Sequence, residues 1–168
     1  MSVAAVLALM AATPAGTQSG PAIPWGENPA QVAARRTGGE VVAGEPGDAV
    51  FDQAYGARAK GQLGGMQVEE LFFFDTGNRL SVIKLQPLDA KDCSTFSASA
   101  QTEFGEPDER ERKTLLPNYA VNRVIWRKRE ADRVLLLAEF PRIGSVKASC
   151  HVTIQPYGDG KPGVRDPQ

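Results

Sequence analysis

The sequence predicts an α+β fold made of two tandem helix-plus-antiparallel-sheet units, with the helices packed on one face of the sheet. Three observations lead to this class. A helical segment with start and stop signals occupies 29–37, and a strand pair flanks a turn at Thr76 and Gly77. A second helical stripe at 92–104 then precedes three strand-like segments. The order helix, strands, helix, strands is what two such units produce.

Length and composition fit a single domain. The chain has 168 residues, of which 42% are hydrophobic and 23% charged, the balance of a packed soluble protein. We expect one globular domain at 25–157, divided into half-units at 25–88 and 89–157. A Gly- and Pro-rich segment at 158–168 is expected to be a flexible tail.

The sequence opens with an apolar run followed by small residues, MSVAAVLALMAATPAG. That order is typical of a secretory leader and predicts a signal peptide at 1–15, cleaved after Ala15, with a flexible segment at 16–24. The run of about 11 residues is too short to cross a bilayer, so we expect no stable membrane anchor. No Lys or Arg precedes the run, which leaves open a different start codon or no leader.

Two cysteines, Cys93 and Cys150, are present. In the periplasm or outside the cell an isolated pair is more often bonded than reactive. Cys150 is expected to point toward the helical stripe that contains Cys93, which favours a disulfide between them. The alternative is two buried thiols that never meet.

Charge is divided between the two parts of the chain. Residues 16–111 carry 8 Lys/Arg and 15 Asp/Glu, a net of −7, whereas residues 112–168 carry 11 and 5, a net of +6. The parts should attract each other, or one of them should attract a partner. The basic part has no aromatic-lined basic motif, so nucleic acid is not an expected partner.

Local signals set the elements of the first unit. Asn28 as N-cap, Pro29 in the first turn, Gln31 at the reciprocal capping position and Gly38 beyond the end predict a short helix at 29–37.

Strand character in the next region is limited to 48–55. The apolar segments on either side of the Thr76–Gly77 turn then predict a β-hairpin. Phe72 and Phe74 should share one face of the hairpin with Ile83 and Leu85. The opposite face should carry Leu71, Phe73, Leu80 and Val82.

The second unit begins with a helix at 92–104, for which Asp92 is a plausible cap. Three strands follow at 119–129, 133–140 and 145–155. With 130–132 as the first loop and 141–145 as the second, the register places these residues on one core face: Val124, Trp126, Val134, Leu136, Phe140, Val146, Cys150, Val152 and Ile154.

The opposite face of this meander is the candidate binding surface. It should present an apolar centre inside a mostly basic rim, with Glu139 between Arg123 and Lys147. The candidate residues are Arg123, Ile125, Arg127, Leu135, Leu137, Lys147 and His151. The alternative is that the first half of the chain covers this face.

Several positions are similar to those of small periplasmic domains of the outer-membrane-assembly lipoprotein type. Gly26, Pro29, Val32 and Gly38 match the opening helix of those domains, and Phe104, Gly105 and Pro107 resemble their helix exit. The order of elements over about residues 23–157 also resembles the tandem β-lactamase-inhibitor-protein fold. The lipidated Cys of the lipoproteins has no counterpart. The resemblance implies binding to another protein.

Patterns for catalysis were weak. His151 is the single histidine and should lie on the outer face of its strand, away from a nucleophile. Ser81 and Lys84 form an S-x-x-K pattern, but on a strand residues three apart face opposite sides. The acidic segment at 103–111 lacks the ligand spacing of a calcium loop and indicates a solvated loop. We expect no metal and no other cofactor.

These observations favour an exported, periplasmic or secreted protein-binding module without catalytic activity, which binds through the C-terminal sheet face. Because Arg holds carboxylates in a planar fork, the expected partner is another protein with an acidic surface. Two alternatives stay open. One is an envelope-assembly accessory or scaffold, and the other is an enzyme whose site has no recognisable motif.

Overall fold

The computed structural model describes residues 25–44, 53 and 55–157. The predicted leader at 1–15, the segment at 16–24, the tail at 158–168 and most of the predicted strand at 48–55 lie outside the described residues.

The described residues form two α-helices and eight β-strands, joined by loops and by two short 3-10 turns. Their bounds in chain order are α1 Pro29–Ala34, β1 Glu40–Val41, β2 Tyr55–Leu63, β3 Met66–Phe74, β4 Leu80–Pro87, α2 Cys93–Phe104, β5 Glu109–Leu116, β6 Tyr119–Lys128, β7 Arg133–Phe140 and β8 Ser149–Pro156. The 3-10 turns are Ala90–Asp92 and Arg129–Ala131.

All eight strands belong to one antiparallel sheet in the order β1-β2-β3-β4-β8-β7-β6-β5. The last strand, β8, returns to the middle and pairs with β4, where Ile83 lies opposite Ile154 and Leu85 opposite Val152. The prediction of two tandem helix-plus-sheet units is therefore wrong. The chain makes one continuous eight-stranded sheet with two short helices, because the strands assigned to separate half-units hydrogen-bond to each other.

Both helices contribute to one core cluster on the same face of the sheet, which we call the helix face. Val32 of α1 and Phe96 and Ala100 of α2 are fully buried there. The strand residues of that cluster include Ala57, Phe72, Leu85, Trp126, Leu135, Leu137 and Val152. The opposite side of the sheet is called the outer face below.

The start of α1 follows its predicted capping chemistry. Asn28 Oδ1 accepts from the Gln31 backbone N–H, and Gln31 Oε1 accepts from the Asn28 backbone N–H, each at 3.0 Å. The helix ends at Ala34, earlier than predicted, with Arg35 as C-cap. Gly38 lies in the following turn with a φ of 65°, a conformation that glycine adopts without steric cost.

The second helix and the disulfide agree with the sequence. Helix α2 spans Cys93–Phe104, and Gly105 ends it with a φ of 77°. Cys93 and Cys150 form the predicted disulfide, with their Cα atoms 5.7 Å apart. The bond ties the first turn of α2 to the beginning of β8, the strand in the middle of the sheet.

The β3–β4 hairpin is buried on both faces, as predicted. Phe72 lies opposite Ile83 on the helix face, while Phe73 lies opposite Val82 on the outer face. Leu80 departs from the prediction. A register shift between Phe73 and Phe74 places Leu80 opposite Phe74, on the helix face.

The sequence did not predict two of the strands, because β2 alternates mainly through small residues (Gly and Ala) and β5 alternates only charged residues over its first half. Strand β2 is YGARAKGQL, and strand β5 begins with charged residues in what was predicted to be a solvated acidic loop. Both are held by pairing with a neighbouring strand, β2 with β3 and β5 with β6.

Candidate binding surface

The outer face of the C-terminal strands has an apolar centre, but it is a buried one. Ile125, Val134 and Leu136 form a cluster there with the half-buried ring of Tyr157. Their exposed fractions are 4%, 3% and 6%. Ile125 lies on the face where the sequence predicted it, although it offers little area for contact with a partner.

The two arginines predicted in the rim are paired with carboxylates of β5. Arg123 Nη1 lies 2.8 Å from Glu111 Oε1, and Arg127 Nη2 donates to Glu109 Oε2 at 2.7 Å. The Arg123 side chain is only 8% exposed. These contacts balance the positive charge that the sequence assigned to the rim.

His151 lies on the outer face, as predicted, with its ring stacked on Phe140. Burial, and secondly the nearby positive charge of Lys84, lowers the pKa of His151 to about 4. The imidazole is therefore neutral at neutral pH and adds no cation to this face.

Leu135 and Leu137 were predicted on the outer face and lie on the helix face instead. Leu135 is opposite Trp126, Leu137 is opposite Val124, and both leucines are fully buried under the helices. The β6–β7 loop has four residues, 129–132, and not three, because Asp132 adopts a left-handed conformation with φ 47° that closes it. A shift of one residue moves every side chain of a strand to the other face.

That shift also overturns the predicted places of Val134, Leu136 and Phe140, which lie on the outer face. Cys150 and Val152 keep their predicted side because the next loop is also longer than predicted. Phe140 pairs with Ser149 and not with Val146, so the second shift compensates for the first.

Glu139 and Lys147 are not neighbours of Arg123 in the way that the sequence predicted. Glu139 lies on the helix face, where it accepts hydrogen bonds from Ser97 Oγ and Asn122 Nδ2. Lys147 is exposed in the loop between β7 and β8. Of the predicted site residues, the structure brings Arg123, Ile125, Arg127 and His151 onto one face.

Exposed apolar side chains collect at another place, which we call the loop end: the sheet end that carries the β5–β6 and β7–β8 loops. Ile143 and Val146 face each other across a tight turn, with backbone hydrogen bonds of 3.1 and 2.8 Å in the two directions. They are 42% and 65% exposed, and on the neighbouring hairpin Leu115 and Leu116 are 39% and 63% exposed.

The sequence did not predict the loop end because 141–145 was interpreted only as a hairpin loop, Val146 and Lys147 were placed in the following strand, and 115–118 had no assignment. The letters LLPN and RIGSVK, read as loop tips with unburied apolar residues, are the signal that could have located it. Arg142 and Lys147 flank the Ile143–Val146 turn and are exposed. The loop end therefore combines exposed apolar side chains with exposed, positively charged side chains.

A groove of about 390 Å³ lies beside the first turn of α2. Its lining includes Arg112, Asn122, Glu139 and Phe140, together with Cys93. Cys93 is bonded to Cys150, so its sulfur is not available as a thiol nucleophile.

A buried ion pair connects the turn after α1 to the sheet on the helix face. Glu70 is 7% exposed, and its Oε2 lies 3.4 Å from Arg36 Nε without a hydrogen bond. Arg36 also covers the Phe72 ring at 5.7 Å. Burial raises the pKa of Glu70, and the charge of Arg36 opposes that shift.

Within the described ranges, no group of three or more His, Cys, Asp or Glu side chains is arranged to hold a metal ion. The helices of that part of the chain are also too short or too polar to span a bilayer. No family model, curated protein or solved structure matches this chain.

Proposed function

We propose that this chain is an exported protein-binding module without catalytic activity, and that it binds its partner through the loop end. The observation that carries the proposal is the Ile143–Val146 turn, which holds two exposed apolar side chains in an ordered hairpin. A turn whose backbone is already closed by two hydrogen bonds loses little backbone freedom on binding. Contiguous exposed apolar groups with a polar rim are the usual anatomy of a protein contact.

The charge around the loop end supports a partner with carboxylates. Arg142 and Lys147 are both exposed beside the turn, and opposite charges across an interface speed association and set orientation. Lys147 thus keeps its proposed role in binding, at the end of the sheet and not on its face. The outer face is a weaker candidate because Ile125 and Arg123 are buried there.

The two interior groups with shifted pKa values are not placed to act together as acid and base. Glu70 and His151 are the carboxyl and imidazole with shifted pKa values in the interior, and they lie on opposite faces of the sheet. An acid and a base must reach the same substrate to act together. Two groups separated by a sheet cannot do so.

Export to the periplasm or to the outside of the cell is supported by the disulfide and by the leader-like start. Disulfides persist in oxidising compartments and are rare in the cytosol. The bond between Cys93 and Cys150 closes 57 residues of chain, and a native bond of this kind agrees with a protein that folds after export.

The test is site-directed photo-crosslinking in the producing cell. A photoreactive amino acid is placed at Ile143, at Val146 and, as a control, at Val41, which is 60% exposed on the other margin of the sheet. We expect one discrete protein adduct from positions 143 and 146 and none from position 41.

Matched variants complete the test. I143S/V146S should bind the captured partner at least about tenfold more weakly than the wild type, since it loses two apolar anchors, whereas V41S should bind as the wild type does. Equal adducts from all three positions, or none from 143 and 146, would contradict the proposal.

A further inference from the structure

Strand β5 is the margin of the sheet beside the loop end, and among the described residues only β6 pairs with it, on one side of its backbone. It is the terminal strand in the sheet order, and it runs for 8 residues, Glu109–Leu116, whereas the strand at the other margin, β1, has 2. Every residue of β5 is exposed or half-buried. An edge of this length can accept an added strand.

The charges of β5 differ between its two faces. On the outer face Glu109 and Glu111 are neutralised by Arg127 and Arg123 of β6. The helix-face side chains are Arg110 and Arg112, which lie opposite Val124 and Asn122.

These two arginines have no carboxylate partner among the described residues. Arg110 donates at 3.2 Å to the neutral amide of Gln101, and Arg112 reaches the groove beside α2. The helix-face side of this edge is therefore positively charged, and Glu139, the carboxylate that lines the same groove as Arg112, accepts its hydrogen bonds from Ser97 and Asn122.

A second copy of the chain is a poor occupant of the edge. Two copies related by a two-fold axis perpendicular to the sheet would pair antiparallel, with the central residue directly opposite its own copy. Positions 109–113 read Glu, Arg, Glu, Arg, Lys. Every two-fold register centred on them places like charges in contact, which is destabilising. Registers centred on 114–116, the rest of β5, avoid that contact but place no carboxylate opposite Arg110 or Arg112.

We propose that β5 accepts an added strand from the partner protein, with carboxylates two residues apart that face Arg110 and Arg112. Arginine forks bind carboxylates through paired hydrogen bonds, and side chains two apart on a strand share a face. An apolar residue further along the segment would meet Leu116, which is 63% exposed at the end of β5. This inference rests on the proposed protein-binding function and specifies the chemistry of the bound segment.

The test uses a synthetic blocked octapeptide, Val-Thr-Thr-Thr-Glu-Thr-Glu-Thr, which places Val at Leu116 when it runs antiparallel to β5, and a control peptide in which Lys replaces both Glu. Binding is measured by amide hydrogen exchange and by a fluorescence titration. We expect the Glu peptide to bind about tenfold more tightly than the Lys peptide and to slow exchange at β5 amides but not at β1 amides. Added salt should weaken it.

A charge reversal gives the sharpest result. R110E/R112E should lose the Glu peptide and gain the Lys peptide, whereas K60E/K91E changes the net charge equally at exposed sites and should leave both affinities unchanged. The neutral variant R110Q/R112Q should lose the preference between the peptides. Equal binding of the two peptides, or unchanged exchange along β5, would overturn the inference and leave the charged edge as protection against self-association.

The same peptides separate this inference from the function proposed above. I143S/V146S should bind the Glu peptide like the wild type, because the added strand does not contact that turn. If peptide binding occurs but the crosslinks at 143 and 146 are absent, the edge inference stands and the loop-end proposal fails. The reverse result removes the edge and keeps the loop end.

Discussion

His151 stacks on Phe140 across the β7–β8 hairpin, with 5.5 Å between ring centroids and 25° between ring planes. The pairing holds the imidazole against the sheet, and burial lowers its pKa to about 4 from the ordinary 6.5. Between these two pH values the unfolded chain binds a proton that the folded chain does not. The contribution of His151 to the free energy of unfolding is therefore fully present above about pH 6.5 and is lost as the pH falls toward 4.

We expect this histidine to remove at most about 3 kcal/mol of the free energy of unfolding as the pH falls through that window. Urea unfolding of H151Q at several pH values should show a smaller loss than the wild type. Because the chain has 1 histidine, its imidazole pKa can also be read directly by NMR. A value near 6.5 would contradict the expectation.

Glu70 should make the free energy of unfolding change with pH in the opposite direction. Its pKa is raised by burial, so the folded chain keeps a proton that the unfolded chain has released. The free energy of unfolding should then decrease as the pH rises from about 4.5 through the raised pKa. E70Q should remove that decrease, while E69Q, a change at the neighbouring outer-face residue, should retain it. Identical pH profiles for E70Q and the wild type would show that Glu70 does not titrate in this range.

Trp126 anchors the exit of α2. Its indole Nε1 donates to the Gly105 carbonyl at 2.8 Å, and its ring meets Phe104 edge-on at 5.5 Å. W126F should lower the free energy of unfolding by about 1–3 kcal/mol, because it leaves a carbonyl unpaired and reduces packing. W25F, at the other tryptophan, is the control and should cost less because Trp25 is only half-buried. Equal losses would contradict this assignment.

The disulfide should account for a large part of the stability of so small a domain. Closing 57 residues of chain is worth about 4 kcal/mol in the chain-entropy model. The free energy of unfolding of C93A/C150A should therefore be lower by about that amount, and its urea midpoint should be lower accordingly. The wild type with reductant should approach the double variant, and a midpoint that reductant leaves unchanged would contradict the expectation.

Features fixed by nearby residues could be predicted from the sequence. The capping box of Asn28 and Gln31 and the stripe that carries Cys93 and Phe96 toward the core depend on spacing within one helix. The disulfide followed because Cys93 and Cys150 both faced the same core. The double-sided burial of β3 was visible in its apolar run.

Features set by distant pairing could not be predicted. Strand β2 alternates mainly through small residues and β5 begins with alternating charges, so both depend on the hydrogen-bond partners that β3 and β6 supply. The join between β4 and β8 links segments far apart in the chain and has no local signal. In the candidate site, the left-handed conformation of Asp132 lengthens the β6–β7 loop by one residue. As a result Val134 and Leu136, and not Leu135 and Leu137, lie on the outer face. A turn conformation of this kind is not specified by apolar patterning.

The Cys93–Cys150 bond also makes the segment between the two cysteines a covalent ring. Strands β5, β6 and β7 and both loops of the loop end lie inside it. A protease that nicks the exposed 141–148 loop therefore releases nothing, since the two fragments stay joined through sulfur as well as through the sheet. The nicked protein would migrate as one species in non-reducing denaturing gel electrophoresis and as two fragments after reduction. The loop that is most accessible to a partner is thus also one whose cleavage does not separate the chain.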